Sequence, residues 1–220
     1  MKSALFYSDE YKNLEKNIYN FLRNQTKEDI LLSPRTLQST RAVGDAIADL
    51  LAENLGAILG PSIKSYEKKF ARRAMADMAF TDKYGCYYVV DVKTHRLDTK
   101  FNMPNLISVK RLTDFYKDDK NYFVILKIDY DLNQDRINIK SVSFNPIEMM
   151  AWSCLTIGAL GWGQIQIANS NQIVLNNTFD RKQWMLEFFD KILDFYPEEV
   201  KKIKNRIDYF AHAKNRWNSK

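Results

Sequence analysis

Tyr87-Tyr88-Val89-Val90-Asp91-Val92-Lys93 reads as one β-strand, built of β-branched and aromatic residues with no breaker among them. Two charges close it. Side chains alternate along a strand, so Asp91 and Lys93 share one face and Val92 points the other way. Upstream, Asp77 opens a shorter apolar run, Met78-Ala79-Phe80, and the turn signal Thr81-Asp82-Lys83-Tyr84-Gly85 joins the two runs into a predicted hairpin. Antiparallel neighbours lie about 5 Å apart, which brings Asp77 within reach of Asp91. Two carboxylates suit Mg²⁺, a hard cation that prefers oxygen ligands. Such an ion acidifies a bound water and neutralises phosphoryl charge, while a lysine beside it orients or deprotonates that water. D-x-K at a strand edge is also the pattern of an ordinary ion pair, so the motif alone leaves both readings open.

The 220 residues fit a single domain, 1–220, able to bury a real core. We divide it into a helical N-terminal part (1–75) for dimerisation and approach to a partner, a sheet bearing the charged pair (76–145), and a C-terminal part (146–220). The formal net charge of +6 favours a polyanionic partner. Cys86 and Cys154 both sit in apolar runs and read as small buried hydrophobes of a reducing compartment. The start of the chain has no signal-peptide pattern, and no apolar run approaches the length of about 20 residues that a membrane span needs. Together these readings predict a cytoplasmic protein with no membrane association.

In chain order, Ser8 caps a predicted packing or dimerisation helix running to about Asn24, and Thr26 to Ser39 is irregular. Arg41 to Leu59 forms an amphipathic helix that Gly60-Pro61 stops. A second helix, Ser62 to about Met75, carries the basic cluster Lys68, Lys69, Arg72 and Arg73, and Thr94 to Met103 is a polar loop. Pro104 opens a helix as its first residue, with Leu106, Ile107, Val109, Leu112 and Phe115 inward. Tyr122 to Asp129 and Ile137 to Phe144 are strands, and the passage between the first of them and Asp91 leaves room for a crossover. A short helical stretch reaches Trp152. Gly161 and Gly163 then lead into a strand whose Gln164 and Gln166 share one face, either as readers of base edges, since an amide pairs bidentately with adenine, or as the polar outer face of an ordinary strand. Asp180 to Leu193 is a helix burying Trp184, Leu186, Phe188 and Ile192, and Pro197 starts a last, basic one.

Several of these pieces together resemble a known family. Asp77-Met78, Asp91-Val92-Lys93-Thr94, Pro104-Asn105-Leu106-Ile107-Ser108 and the run Ala159 to Ile167 are similar, in order and rough spacing, to motifs of type II restriction endonucleases of the PD-(D/E)xK superfamily, in the EcoRV-like branch that includes HincII and HpaI. Thr36-Leu37-Gln38-Ser39 with Gly44-Asp45 resembles the entry to a family helix that carries Gly-Glu, and Arg181-Lys182-Gln183-Trp184 resembles a basic segment after the glutamine strand. The resemblance spans about Thr36 to Trp184, short specific pieces joined by divergent ones.

The resemblance implies an α/β fold with a mixed central sheet flanked by helices. It makes Asp77 and Asp91 ligands of Mg²⁺, completed by the Val92 carbonyl, and Lys93 the catalytic lysine. Asp45 stands where an accessory acid lies, although the family has Glu there. It implies a homodimer with one active site per DNA strand, a palindromic site, and blunt double-strand cleavage leaving 5′-phosphates. It further implies a cognate DNA methyltransferase that protects the host. Gln164, Gln166 and Asn169 fall in the segment approaching the major groove, and Asn102 and Asn105 in a loop near the minor groove at the centre of the site, with Gln38, Thr94 and Arg181 as further DNA contacts. The amide-rich set leans toward an A·T-rich sequence. Two rivals stay open: a structure-specific nuclease of the same superfamily, and a DNA-binding protein that has lost catalysis.

Overall fold

The computed structural model describes residues 5–6, 9–27, 39–68, 76–99, 103–133, 136–168, 173–176 and 180–220. Helices α1 (Asp9–Lys27) and α2 (Thr40–Leu59) precede strands β1 (Ile63–Glu67), β2 (Met78–Asp82) and β3 (Tyr87–Arg96). Strand β4 (Asn105–Ser108), helix α3 (Val109–Phe115) and strands β5 (Asn121–Asn133) and β6 (Arg136–Pro146) follow. The chain ends with β7 (Leu155–Gly158), β8 (Gln164–Ile167) and helix α4 (Arg181–Asn218).

The fold is α/β. A five-stranded mixed sheet has the order β1-β2-β3-β5-β6, with β3 and β5 parallel and the other pairs antiparallel. A small antiparallel sheet, β4-β8-β7, lies over one of its faces. Alternation along the strands fills both faces. Tyr88, Val90, Val92, Val124, Leu126 and Ile128 pack against α1 and α2. Val89, Phe123 and Ile125 pack against the small sheet, α3 and the first turns of α4, where Trp184 stacks on Trp152 at 5.0 Å.

The expected β2–β3 hairpin forms, and Asp82 fastens its turn. This fully buried carboxylate accepts from the Tyr84 and Cys86 N–H groups, both at 2.9 Å, and from the Tyr88 hydroxyl at 2.8 Å. Four local expectations are corrected. Ser62 does not start a helix, because Ile63–Glu67 pairs with β2 as the sheet edge. Pro104 does not open one either: Asn105–Ser108 pairs with β8, and the helix begins at Val109, whose cap is the Ser108 hydroxyl accepting from the Arg111 N–H. Helix α4 runs unbroken through Pro197, and Leu186 on it is exposed. Ser8, residues 69–75 of the basic stretch and Gln134-Asp135 of the expected turn lie outside the described residues. Cys154 is buried and Cys86 half-buried, both as free thiols. No helix among the described residues is long and apolar enough to cross a membrane.

Candidate active site

Strand β3 outlasts its neighbour. Strand β2 starts at Met78, opposite Val90, and the residue before it ties the end down: the Asp77 N–H donates to the Val90 carbonyl at 2.9 Å. Beyond that point no strand among the described residues lies beside this edge of β3, and the Asp77 carboxylate takes over, its Oδ2 accepting from the Val92 N–H at 2.7 Å. A strand residue presents its N–H and C=O to the same side, so the Val92 carbonyl faces the edge that β2 has left. Asp91, next to it, points to the opposite sheet face from Val92 and is buried, 7% exposed. Its Oδ1 accepts from Lys93 Nζ at 2.7 Å, whereas its Oδ2 is buried with no hydrogen-bond partner.

That arrangement is electrostatically unfavourable for an anion. Burial pushes the Asp91 carboxyl up to about 7; the charge and hydrogen bond of Lys93 pull it down, and the carboxylate of Asp77 raises it further. A buried acceptor without a donor forfeits the hydrogen bonds that water gave it. A cleft of about 220 Å³ opens at this point, lined by Asp77, Asp91, Ile107, Ser108, Arg111 and Gln164 among others. Thus the structure brings Asp77, Asp91, Val92 and Lys93 together, with Gln164 at the same cleft as the two carboxylates.

The donor set fits a hard divalent cation: two carboxylates, one solvent-facing and one with an unsatisfied buried oxygen, beside a main-chain carbonyl. Two carboxylates with waters are enough for Mg²⁺, and no group of three or more His, Cys, Asp or Glu side chains suited to a metal is assembled among the described residues.

Beyond Asp91 the sheet face changes character. The parallel register sets Asp91 beside Ile125, Lys93 beside Lys127 and His95 beside Asp129. Asp129 pairs with Lys127, receives the Ser141 hydroxyl at 2.7 Å and lies 3.2 Å from His95 Nδ1. Burial works against the ionised Asp129, yet the hydrogen bonds from Lys127 and Ser141 outweigh it and hold this carboxyl below its ordinary value. A second cleft, about 110 Å³, is lined by Lys93, Thr94, His95, Arg96 and Lys127 with Thr40 of α2. Sequence reading missed His95, Lys127 and Asp129, as well as Arg111 and Ser108. The available signal was the switch from Phe123 and Ile125 to Lys127 and Asp129 on alternate positions of one strand.

The remaining expected residues divide. Gln164 and Gln166 share the exposed side of β8, with Ile165 and Ile167 buried beneath. Gln166 Nε2 donates to Asn105 Oδ1 at 2.7 Å across the β4–β8 pair. Gly158 makes room for it: a Cβ there would stand 2.5 Å from Gln166 Oε1. Helix α2 touches β3 closely, since a Cβ on Gly44 would meet the Thr94 hydroxyl at 2.5 Å. Asp45 faces solvent, 3.9 Å from Arg41, and lines neither cleft. Arg181, expected among the DNA contacts, is an internal residue. It is buried against Glu148 at 2.9 Å, donates to the Asp119 carbonyl at 2.8 Å and lies over the rings of Tyr116 and Tyr122. Gln38, Asn102 and Asn169 lie outside the described residues. No family model matches the chain, and no curated protein matches it.

Proposed function

We propose that this chain is a type II restriction endonuclease with a PD-(D/E)xK fold, cutting both strands of a palindromic, A·T-rich DNA site as a homodimer and leaving blunt ends with 5′-phosphates. The observation that carries the reading is the Asp91 carboxylate, buried with one unpartnered oxygen at a polar cleft, between Asp77 and Lys93 where β3 runs on past the start of β2. Structural ion pairs are normally satisfied on both oxygens, and an acid held this far from its ordinary value by burial at a cleft marks a site that a ligand completes.

Asp77, Asp91 and the Val92 carbonyl would hold Mg²⁺. When bound, the ion supplies charge neutralisation at the phosphate and a more acidic water. Lys93, its ammonium held on Asp91 at the same cluster, is suited to orient the attacking water and to offset charge on the phosphorane-like transition state. Arg111 enters the same cleft from the first turn of α3 and is suited to a non-bridging phosphate oxygen. Gln164 and Gln166, on a strand held by its neighbours on both sides, present amides suited to adenine edges. In-line attack displaces the 3′ oxygen, giving a 5′-phosphate and a 3′-hydroxyl. A restriction enzyme of this kind requires a partner methyltransferase that marks the host DNA.

The test is digestion of a long sequenced DNA with purified protein and Mg²⁺, followed by end sequencing. Blunt ends centred on one palindrome are expected. Cuts at junctions or flaps without a shared sequence would instead indicate a structure-specific nuclease, and binding without cutting in Mg²⁺ and Mn²⁺ a DNA-binding protein without catalysis.

A further inference from the structure

Helix α4 carries two apolar stripes; the fold covers one and touches the other only at the half-buried Tyr196, whose hydroxyl donates to the Trp162 carbonyl at 2.7 Å. Arg181, Trp184, Phe188 and Glu199 are buried against the body, and Ile192 packs with them. From Val200 to Lys220 every residue but Ala213 is exposed. The helix is about 57 Å long at 1.5 Å per residue, so roughly half of it stands away from the protein.

The second stripe is regular. Leu186, Phe189, Leu193, Tyr196, Val200, Ile203, Ile207, Phe210, Lys214 and Trp217 follow one another at alternating intervals of three and four residues. This is a heptad repeat sustained over more than four heptads, with Leu186, Leu193, Val200, Ile207 and Lys214 at the a positions and the others at d. Excluding Tyr196 and Lys214, these side chains are between 38% and 70% exposed. A single surface hydrophobe needs no explanation, but a continuous apolar seam about 47 Å long does.

We propose that this seam is the contact of a homodimeric antiparallel coiled coil, its occupant the same helix of a second copy. In an antiparallel pair an a position faces a d position of the other helix. Full overlap sets Leu186 against the second copy's Trp217, Leu193 against its Phe210, Val200 against its Ile203, Ile207 against its Tyr196, and Lys214 over its Phe189. Each bulky d residue thereby meets a smaller or flexible a residue, and the one charged seam position lies on an aromatic face. A parallel pair would stack Phe189, Tyr196, Phe210 and Trp217 each on its own copy and put Lys214 against Lys214. Eighteen apolar side chains close on one another, burying on the order of 1,500 Å², the size of a stable specific interface. The seam stands on its own observations and is independent of the nuclease reading, although it provides a dimer contact that reading calls for.

Sedimentation equilibrium at micromolar concentration tests it on the full chain. The wild type is expected at twice 25.9 kDa. Ile203→Glu with Ile207→Glu, both exposed in the single chain, is expected at the monomer mass, with unchanged near-ultraviolet dichroism and a dimer dissociation constant weakened at least about 100-fold. A wild type that stays monomeric, including one whose helix binds anionic vesicles instead, overturns the proposal, as does a variant that stays dimeric. Orientation is read with spin labels on Ser219→Cys in a Cys86→Ala, Cys154→Ala background. Antiparallel helices place the two labels about 50 Å apart, and a separation of about 10–20 Å, that of side-by-side helix ends, overturns the antiparallel arrangement. An Ile203→Glu, Ile207→Glu variant that still dimerises and cuts the palindrome would refute the seam and leave the nuclease reading, and a seam dimer without cleavage would do the reverse.

Discussion

Replacing Asp91 with Asn should make the protein more stable while abolishing its activity, and the gain should depend on pH. The carboxyl has its ordinary value of 3.8 in the unfolded chain and about 7 in the fold. That difference makes the ionised form about 4 kcal/mol less favourable in the native state, at about 1.36 kcal/mol per tenfold change. Between pH 4 and 7 the folded protein keeps this proton and the unfolded chain has lost it, so the wild type loses stability as pH rises across that window. Asn carries no charge and is exempt, but it no longer offers Lys93 a carboxylate, which offsets part of the gain. The net expectation at pH 8 is about 2 kcal/mol, or about 4–8 °C in Tm for a chain of this size. At pH 5 the ionisation penalty on the wild type shrinks from about 4 to about 1.6 kcal/mol, so the gap between the two melting temperatures should narrow in favour of the wild type. The assay is thermal unfolding followed by circular dichroism in EDTA at pH 5 and 8. Mg²⁺ added at pH 8 should raise Tm of the wild type alone, since only it gains by exchanging a poorly solvated anion for a liganded one. A variant less stable than the wild type at pH 8, or a difference that is the same at both pH values, would refute the account of Asp91 as an anion held against its burial.

Other perturbations separate roles within the site and the fold. Lys93→Ala should lower the cleavage rate by about 10²-fold or more with DNA binding in Ca²⁺ unchanged, measured by fluorescence anisotropy beside single-turnover cleavage; normal cleavage would remove Lys93 from the mechanism. Arg181→Met should cost about 3–5 kcal/mol in urea unfolding, because Glu148 is left buried without its cation, whereas a surface DNA contact would change affinity and leave stability alone. Asp82→Ala should cost about 2–3 kcal/mol by stranding the two turn N–H groups and the Tyr88 hydroxyl. Gln166→Ala should relax discrimination at one base pair by about 1–3 kcal/mol, read by competition between cognate and single-substituted duplexes.

The sheet that carries the site was readable because its signals are local. Tyr87 to Lys93 alternates cleanly, and the turn at Asp82 to Gly85 is written in residues that favour turns. What escaped depends on partners far along the chain. Ile63 to Glu67 has a weak pattern of its own and becomes a strand only because β2 offers it an edge. Pro104 looks like a helix start, yet the residues after it are claimed by β8, some sixty positions later. Arg181 reads as a surface base until Glu148, set in a stretch of short 3₁₀ turns without periodicity, is folded against it. The register that levels Lys93 with Lys127 is likewise a property of the parallel pair, invisible within either strand.

Val89 and Val90 are adjacent in sequence and belong to different cores, one beneath the small sheet and the other beneath the helices. Neither layer can peel away without wetting a strand that the other needs. Denaturation of the body should therefore be a single transition, with amides of β3 and β5 exchanging only when the whole body opens. The distance from Asp77 to Asp91 then reports on global integrity: a partly unfolded form that kept this geometry would have to keep both layers as well.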